Sequence, residues 1–152
     1  MSDTSPIEKT IEVDCNPAIA FAFFTERFGD WWPKQTHSIG ADSHGTAPEK
    51  VLMEPQVGGR IYEVMPDGTE YGWGKICSWE AGSRIVFSWQ FHKPDDQATE
   101  VEVRFTQVES GRTRIHLIHR NWANDPNGAA LRKGYQVGWD PVLASFMALV
   151  GQ

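Results

Sequence analysis

From Val57 to Trp89 the chain reads VGGRIYEVMPDGTEYGWGKICSWEAGSRIVFSW. Stretches rich in aromatic and β-branched residues alternate with turn signals, Gly58-Gly59 ahead of the first and Asp67-Gly68 after it. Residues of that kind fit a pleated, half-buried surface, and the short turn signals between them favour hairpins. The segment reads as three consecutive antiparallel strands: Arg60 to Met65, Tyr71 to Trp79, and Arg84 to Phe91. In the third, Ile85, Phe87, Trp89 and Phe91 share one face.

The flanking sequence extends the pattern. Ile7 to Val13 alternates, with Ile7, Ile11 and Val13 on one face and Glu8, Thr10 and Glu12 on the other, as a half-buried strand does. Asn16-Pro17 then opens a short helix, with Asn16 as its cap and Pro17 in its first turn. Its apolar residues Ile19, Phe23 and Phe24 stand at helical spacing. Gly29 ends that helix or a second short turn. Residues 34–49 are polar and read as a long loop, and Val51 to Glu54 as a short strand.

Beyond Pro94-Asp95-Asp96, Glu100 to Val108 alternates with Val101, Val103 and Phe105 inward and Glu100, Glu102 and Arg104 outward. Arg112 to Arg120 follows, with Thr113, Ile115, Leu117 and His119 on its more apolar side. The turn between these strands decides the register. A two-residue loop at Ser110-Gly111 pairs Val103 with Ile118 and turns the polar face inward. A three-residue loop, Glu109-Ser110-Gly111, pairs Val103 with Leu117 and Val101 with His119, and places glycine where a left-handed bulge requires it. The second register is preferred, and it puts His119 on the concave face.

The last segment begins at Asp125-Pro126, a cap and first-turn signal. Leu131, Tyr135, Gly138, Val142, Phe146 and Leu149 recur at helical spacing. A helix of that extent spans about 37 Å, enough to cross a sheet. Pro141 removes one backbone donor, so a kink or break is expected near Trp139-Asp140. A first strand, two short helices, about six further strands and a long terminal helix make an α+β layout within residues 1–152, read as one domain.

Composition removes several classes. The formal charge is −6 with 14 basic residues scattered along 152 positions. The densest basic cluster, Arg112, Arg114 and Arg120, is interleaved with apolar residues as the solvent face of a strand is, so nucleic acid is not an expected partner. No apolar run approaches the roughly 18 residues of a membrane span. The first ten residues lack the basic start and apolar core of a secretory signal, and a cytoplasmic location is expected. Cys15 and Cys77 are isolated and read as small buried apolar residues in a reducing compartment.

Val57-Gly58-Gly59-Arg60, Phe87-Ser88-Trp89, Thr99-Glu100-Val101-Glu102-Val103 with Thr113-Arg114-Ile115, and the closing Gly138-Trp139 with Leu143 resemble one family in their joint order. The segment Trp31 to Gly40, WWPKQTHSIG, strengthens the match. Over Ile7 to Leu149 the chain resembles the START-like (SRPBCC) superfamily, in the branch of the activator of heat-shock-protein-90 ATPase, and most of all its stand-alone bacterial members. The resemblance implies a helix-grip fold: a curved antiparallel sheet of six to seven strands wrapped around a long C-terminal helix, with a mostly apolar cavity between them. Relatives elsewhere in the superfamily bind lipids, sterols, polyketides or plant hormones, and some are cyclases or dehydratases. The full activator of that family carries a further N-terminal domain that supplies much of its grip on the chaperone, and no such domain is expected within these 152 residues.

The first expectation is therefore a binding protein for a small hydrophobic molecule, without cofactor or metal. The cavity is expected to be lined by Glu63, Trp73, Phe87, Trp89, Val103, Leu117, His119, Tyr135 and Trp139. Seven tryptophans in 152 residues suit an aromatic-lined site as well as a core. Trp73 is ambiguous, because Gly72, Gly74 and Ile76 form the opposite face unless a bulge intervenes. Gly134 and Gly138 each cost about 1 kcal/mol in a helix interior. Close packing on the sheet, or volume left for a ligand, offsets that cost.

The alternative is a cyclase, hydrolase or dehydratase with Glu63 and His119 as acid–base groups, since a buried carboxylate needs a partner and His119 is the obvious one. A structural ion pair, or exposure at the rim, is the plainer reading of the same residues. His116 and His119 point to opposite faces of a strand, and His37, His44 and Asp42 lack ligand spacing, so no metal site is read. Homodimer formation and chaperone contact stay open as partner readings.

Overall fold

The computed structural model describes residues 3–90 and 93–151. Phe91, read above as the last inward residue of its strand, lies outside them. The element order is β1 (Ile7–Val13), α1 (Pro17–Glu26), α2 (Phe28–Trp31), α3 (Ile39–Ser43), β2 (Lys50–Met53), β3 (Arg60–Val64), β4 (Glu70–Glu80), β5 (Arg84–Trp89), β6 (Thr99–Glu109), β7 (Arg112–Arg120) and α4 (Gly128–Val150), with single 3-10 turns ahead of β6 and α4. The strands form one antiparallel sheet in the order β1-β7-β6-β5-β4-β3-β2. Curled around α4, it is the helix-grip architecture.

Local chemistry explains most boundaries. Asn16 caps α1, its Oδ1 accepting from Ile19 N at 2.9 Å, and Pro17 occupies the first turn. The inward face of α1 is Ala20, Phe21 and Phe24; Ile19, one of the apolar residues read at helical spacing, is exposed. Residues 34–49 hold a helix where a loop was expected: Ser38 Oγ accepts from Ala41 N at 3.0 Å and starts α3, so three short helices follow β1 rather than two. At the β2 edge, a Cβ on Gly29 would stand 2.4 Å from the Val51 carbonyl oxygen, so glycine is what lets α2 cover that edge.

The β6–β7 register is the preferred one, with Val103 opposite Leu117 and Val101 opposite His119. Its closure differs in detail: Glu109 pairs with Arg112, and the extra residue is a bulge at Val108. Gly111 takes the left-handed conformation, at φ +71°. A second bulge settles Trp73. Tyr62 pairs with Gly72 and Ile61 with Gly74, which leaves Trp73 as the inserted residue. Trp73 and Ile76 are then both buried, although simple alternation would separate them. A Cβ on Gly74 would stand 1.8 Å from Ser88 O, so the bulge depends on glycine there.

Helix α4 runs unbroken from Gly128 to Val150 through Pro141, against the expected break. Val137, four residues before Pro141, is 71% exposed, which leaves the carbonyl that Pro141 cannot serve on the solvent side. The helix also starts later than Asp125-Pro126 implied; Asp125 instead accepts from Asn127 N at 2.7 Å in the turn ahead of it. Trp139, Val142, Leu143 and Phe146 on α4 pack into the aromatic cluster of Phe24, Phe28, Trp31, Trp32 and Trp89. Deleting residues 127–152 is expected to abolish cooperative thermal unfolding, because the concave face would lose its cover; a truncated chain that still melts sharply would contradict this.

On the convex face Glu102, expected outward and solvated, is covered. Arg84 Nε, Arg104 Nε and Arg120 Nη1 donate to its carboxylate at 2.6, 2.7 and 2.6 Å. Burial alone would raise its pKa; the hydrogen bonds from Arg120, Arg84 and Arg104 overcome that and hold it at about 2. Arg112 and Arg114 pair with Glu12 across the β1–β7 edge. The cysteines depart from expectation: Cys77 is exposed and Cys15 half-buried. Among the described residues no helix is long and apolar enough to cross a membrane.

Candidate functional site

A cleft of about 530 Å³ opens between residues 36–43, the Trp89 end of β5 and one face of α4. That volume lies within the range of roughly 300–1,000 Å³ typical of small-molecule sites. Trp32, Trp89, Tyr135 and Trp139 form its aromatic walls, with Ile39, Leu131 and Val142 beside them. Polar groups from Thr36, His37, Ser38, Asp42, Ser43 and Lys93 line the remainder.

The helix glycines make the cleft. Gly134 and Gly138 both line it, and a Cβ added to either would meet no atom within 4 Å. They do not serve close packing on the sheet. They remove side chains from the face of α4 where volume is needed, at a helix-propensity cost of about 1 kcal/mol each.

Of the nine residues expected to line the cavity, Trp89, Tyr135 and Trp139 do so. The other six do not line this cleft: Glu63, Trp73, Phe87, Val103, Leu117 and His119 are at most 1% exposed and sit in the packed interior. Glu63 and His119 do not join each other. Glu63 Oε1 accepts from Ile39 N at 2.7 Å and Trp73 Nε1 at 2.7 Å, and Oε2 accepts from Gly40 N at 2.9 Å. The carboxylate is a tether that holds the first turn of α3 onto the sheet.

His119 Nδ1 accepts from Trp139 Nε1 at 3.1 Å, so Nε2 carries the hydrogen and donates to Thr99 Oγ1 at 2.7 Å; Thr99 in turn donates to Trp89 O at 3.1 Å. Burial lowers the His119 pKa to about 3, so the ring is a neutral structural link. Because the folded value lies below the ordinary 6.5, the unfolded chain binds the proton first, and stability present above pH 6.5 is lost as pH falls towards 3. Glu102, with its folded pKa of about 2 below the ordinary 4.5, adds a second loss between those values. Urea unfolding is expected to show stability falling from pH 6.5 downward, with a shallower upper part of the profile in His119→Gln; a flat profile down to pH 4 would contradict the His119 assignment, and one flat from pH 4 to pH 2 the Glu102 assignment.

Sequence reasoning missed Trp32, His37, Ile39 and Asp42 as cleft residues. Ser38 ahead of Ile39 was the available signal, a helix cap inside a stretch too polar to show an apolar period.

Tyr135 is the polar centre of the cleft. Trp89 Nε1 donates to its Oη at 2.9 Å. Burial raises its pKa to about 12; the Trp89 bond lowers it in part, and the Asp42 charge raises it. The group is therefore a phenol at neutral pH, and its O–H has no acceptor among the described residues.

A family model, activator of Hsp90 ATPase homolog 1-like protein, matches residues 14–151. The chain belongs to this family. No curated protein matches it. Among solved structures, the anthrahydroquino-gamma-pyrone synthase Txn09 is 31% identical, with a TM-score of 0.66 over 95% of this chain and 96% of that one. PFC0360w, an Hsp90 activator from Plasmodium falciparum, is 22% identical with a TM-score of 0.63, covering 97% and 96%. Protein Ms6760 from Mycobacterium smegmatis is 18% identical with a TM-score of 0.68, covering 99% and 94%. The last two share the fold of this activator-like chain. The first shares enough sequence to be a relative within the same START-like group.

Proposed function

We propose that this activator-like protein binds a planar, largely apolar small molecule in the cleft between residues 36–43, Trp89 and α4. One observation carries the reading: the helix spends two glycines, Gly134 and Gly138, on a space that no side chain occupies. Three tryptophans around that space favour a ring system over a flexible chain, because flat apolar surfaces stack on flat apolar surfaces. The synthase relative adds support, since its name denotes a fused-ring aromatic product. The Tyr135 hydroxyl would orient an oxygen on such a ligand.

The test is a titration with fused-ring aromatic ketones and fatty acids, read by tryptophan emission. A saturable change is expected for the ring compounds, smaller in Trp89→Phe. A broad panel without any saturable change would remove the main support. Chaperone contact draws its support from the family name and from the fold shared with the Plasmodium falciparum activator.

A further inference from the structure

We infer that the cleft is a catalytic site for proton transfer beside a carbonyl, with His37 taking the proton and Tyr135 hydrogen-bonding the carbonyl oxygen. The inference rests on the binding reading above and adds an activity to it.

Each of the two residues leaves a hydrogen-bonding atom unused. The deep candidates, Glu63 and His119, spend their hydrogen-bonding atoms inside the core. Lys93 on the cleft wall is paired with Asp125. Tyr135 is held by Trp89 Nε1 through one lone pair of its oxygen, which fixes the hydroxyl and leaves its proton for a group in the cleft. That is the geometry of a pre-set donor, which stabilises charge developing on an oxygen without having to reorganise.

His37 lines the same cleft and is pinned from two sides. Its carbonyl accepts from Trp32 Nε1 at 2.6 Å, and its Nδ1 lies 2.7 Å from Thr36 Oγ1. Thr36 Oγ1 in turn lies 3.3 Å from Pro33 O, an acceptor that cannot give a proton back. With the Thr36 proton on Pro33 O, the ring hydrogen sits on Nδ1 and points to Thr36. Nε2 then carries a lone pair, and it has no partner among the described residues. This is the tautomer the proposal requires. Burial lowers the pKa of the ring from its ordinary value, so it is neutral and able to accept at pH 7.

The step balances without an oxidant or a cofactor. A C–H bond next to the carbonyl breaks and its proton goes to His37 Nε2. The electron pair of that bond becomes the C=C of an enolate. The carbonyl π pair moves onto the oxygen, where the Tyr135 O–H meets it. Return of the proton from the imidazolium to oxygen or carbon completes a tautomerisation. The fitting substrate class is a fused-ring ketone with an acidic C–H on the carbon beside the carbonyl, whose enol is conjugated with the aromatic ring.

2-Tetralone, a fused-ring ketone of this kind, serves as the probe. Exchange of its C1–H, next to the carbonyl, in D2O is followed by NMR, and its binding is followed separately by tryptophan quenching. Wild-type protein is expected to accelerate exchange above buffer. His37→Ala is expected to lose at least about tenfold of the protein-dependent rate, a low figure for general-base catalysis, while still quenching. Added imidazole should restore part of that rate, which a merely structural role for His37 would not allow. Tyr135→Phe should lower the rate in a chain that still folds around Trp89. Saturable quenching with exchange no faster than buffer, or equally fast in His37→Ala, overturns the proton-transfer inference and leaves the binding reading standing. No quenching by any ring compound of the panel overturns the binding reading, and this inference with it.

Discussion

Glu63→Ala is expected to be the most damaging single substitution in the protein. It strands three buried donors, the backbone N–H groups of Ile39 and Gly40 and the indole of Trp73. Leaving a buried donor unsatisfied costs about 1–3 kcal/mol, so a loss of about 3 kcal/mol or more is expected, short of simple additivity. Glu63→Gln should recover part of this, since its amide oxygen still accepts while its NH2 faces a donor. The midpoint of urea unfolding measures the total effect. Hydrogen exchange at the Ile39 and Gly40 amides measures the local one, and it should accelerate more than exchange at β6–β7 amides. Unchanged protection at those two amides would show that α3 does not depend on the tether.

Gly134→Leu and Gly138→Leu are expected to move stability and binding in opposite directions. Each replaces a helix-interior glycine by a good helix former, which is worth about 0.8 kcal/mol of added stability. A Cβ at either site meets nothing within 4 Å, so no clash offsets that gain at the first atom. The rest of the side chain enters the cleft beside Trp139 and Tyr135. Affinity for a fused-ring probe is expected to fall by more than about tenfold, or about 1.4 kcal/mol. Thermal unfolding and quenching titrations on the same variants test both halves. A variant that melts lower and binds as well as wild type would place these glycines in packing rather than in ligand volume.

The physical source of each reading explains what was legible. Strands were readable because their signal is local: Ile85, Phe87 and Trp89 alternate with their neighbours and are buried where alternation places them. The β6–β7 register was readable because one alternative turned Leu117 and His119 outward. Trp73 was not, because the bulge that turns it inward depends on Gly74 lying against the Ser88 carbonyl, a contact between strands. The persistence of α4 through Pro141 was equally hidden, since aromatic packing of Trp139 and Phe146 outweighs one missing donor.

The candidate site shows the same division. By itself the sequence determined the antiparallel order of strands, the terminal helix, the family and three of the cleft residues, Trp89, Tyr135 and Trp139. These follow from periodicity, from caps and turns, and from motif order, all of which are written along the chain. Only the tertiary structure decided that Glu63 binds the start of α3 instead of His119, that His119 is a neutral link between Thr99 and Trp139, and that His37 reaches the cleft. Inward orientation is a property of one strand. A partner is a property of whatever segment folds over it, and here residues 36–43 fold back across the open end of the sheet.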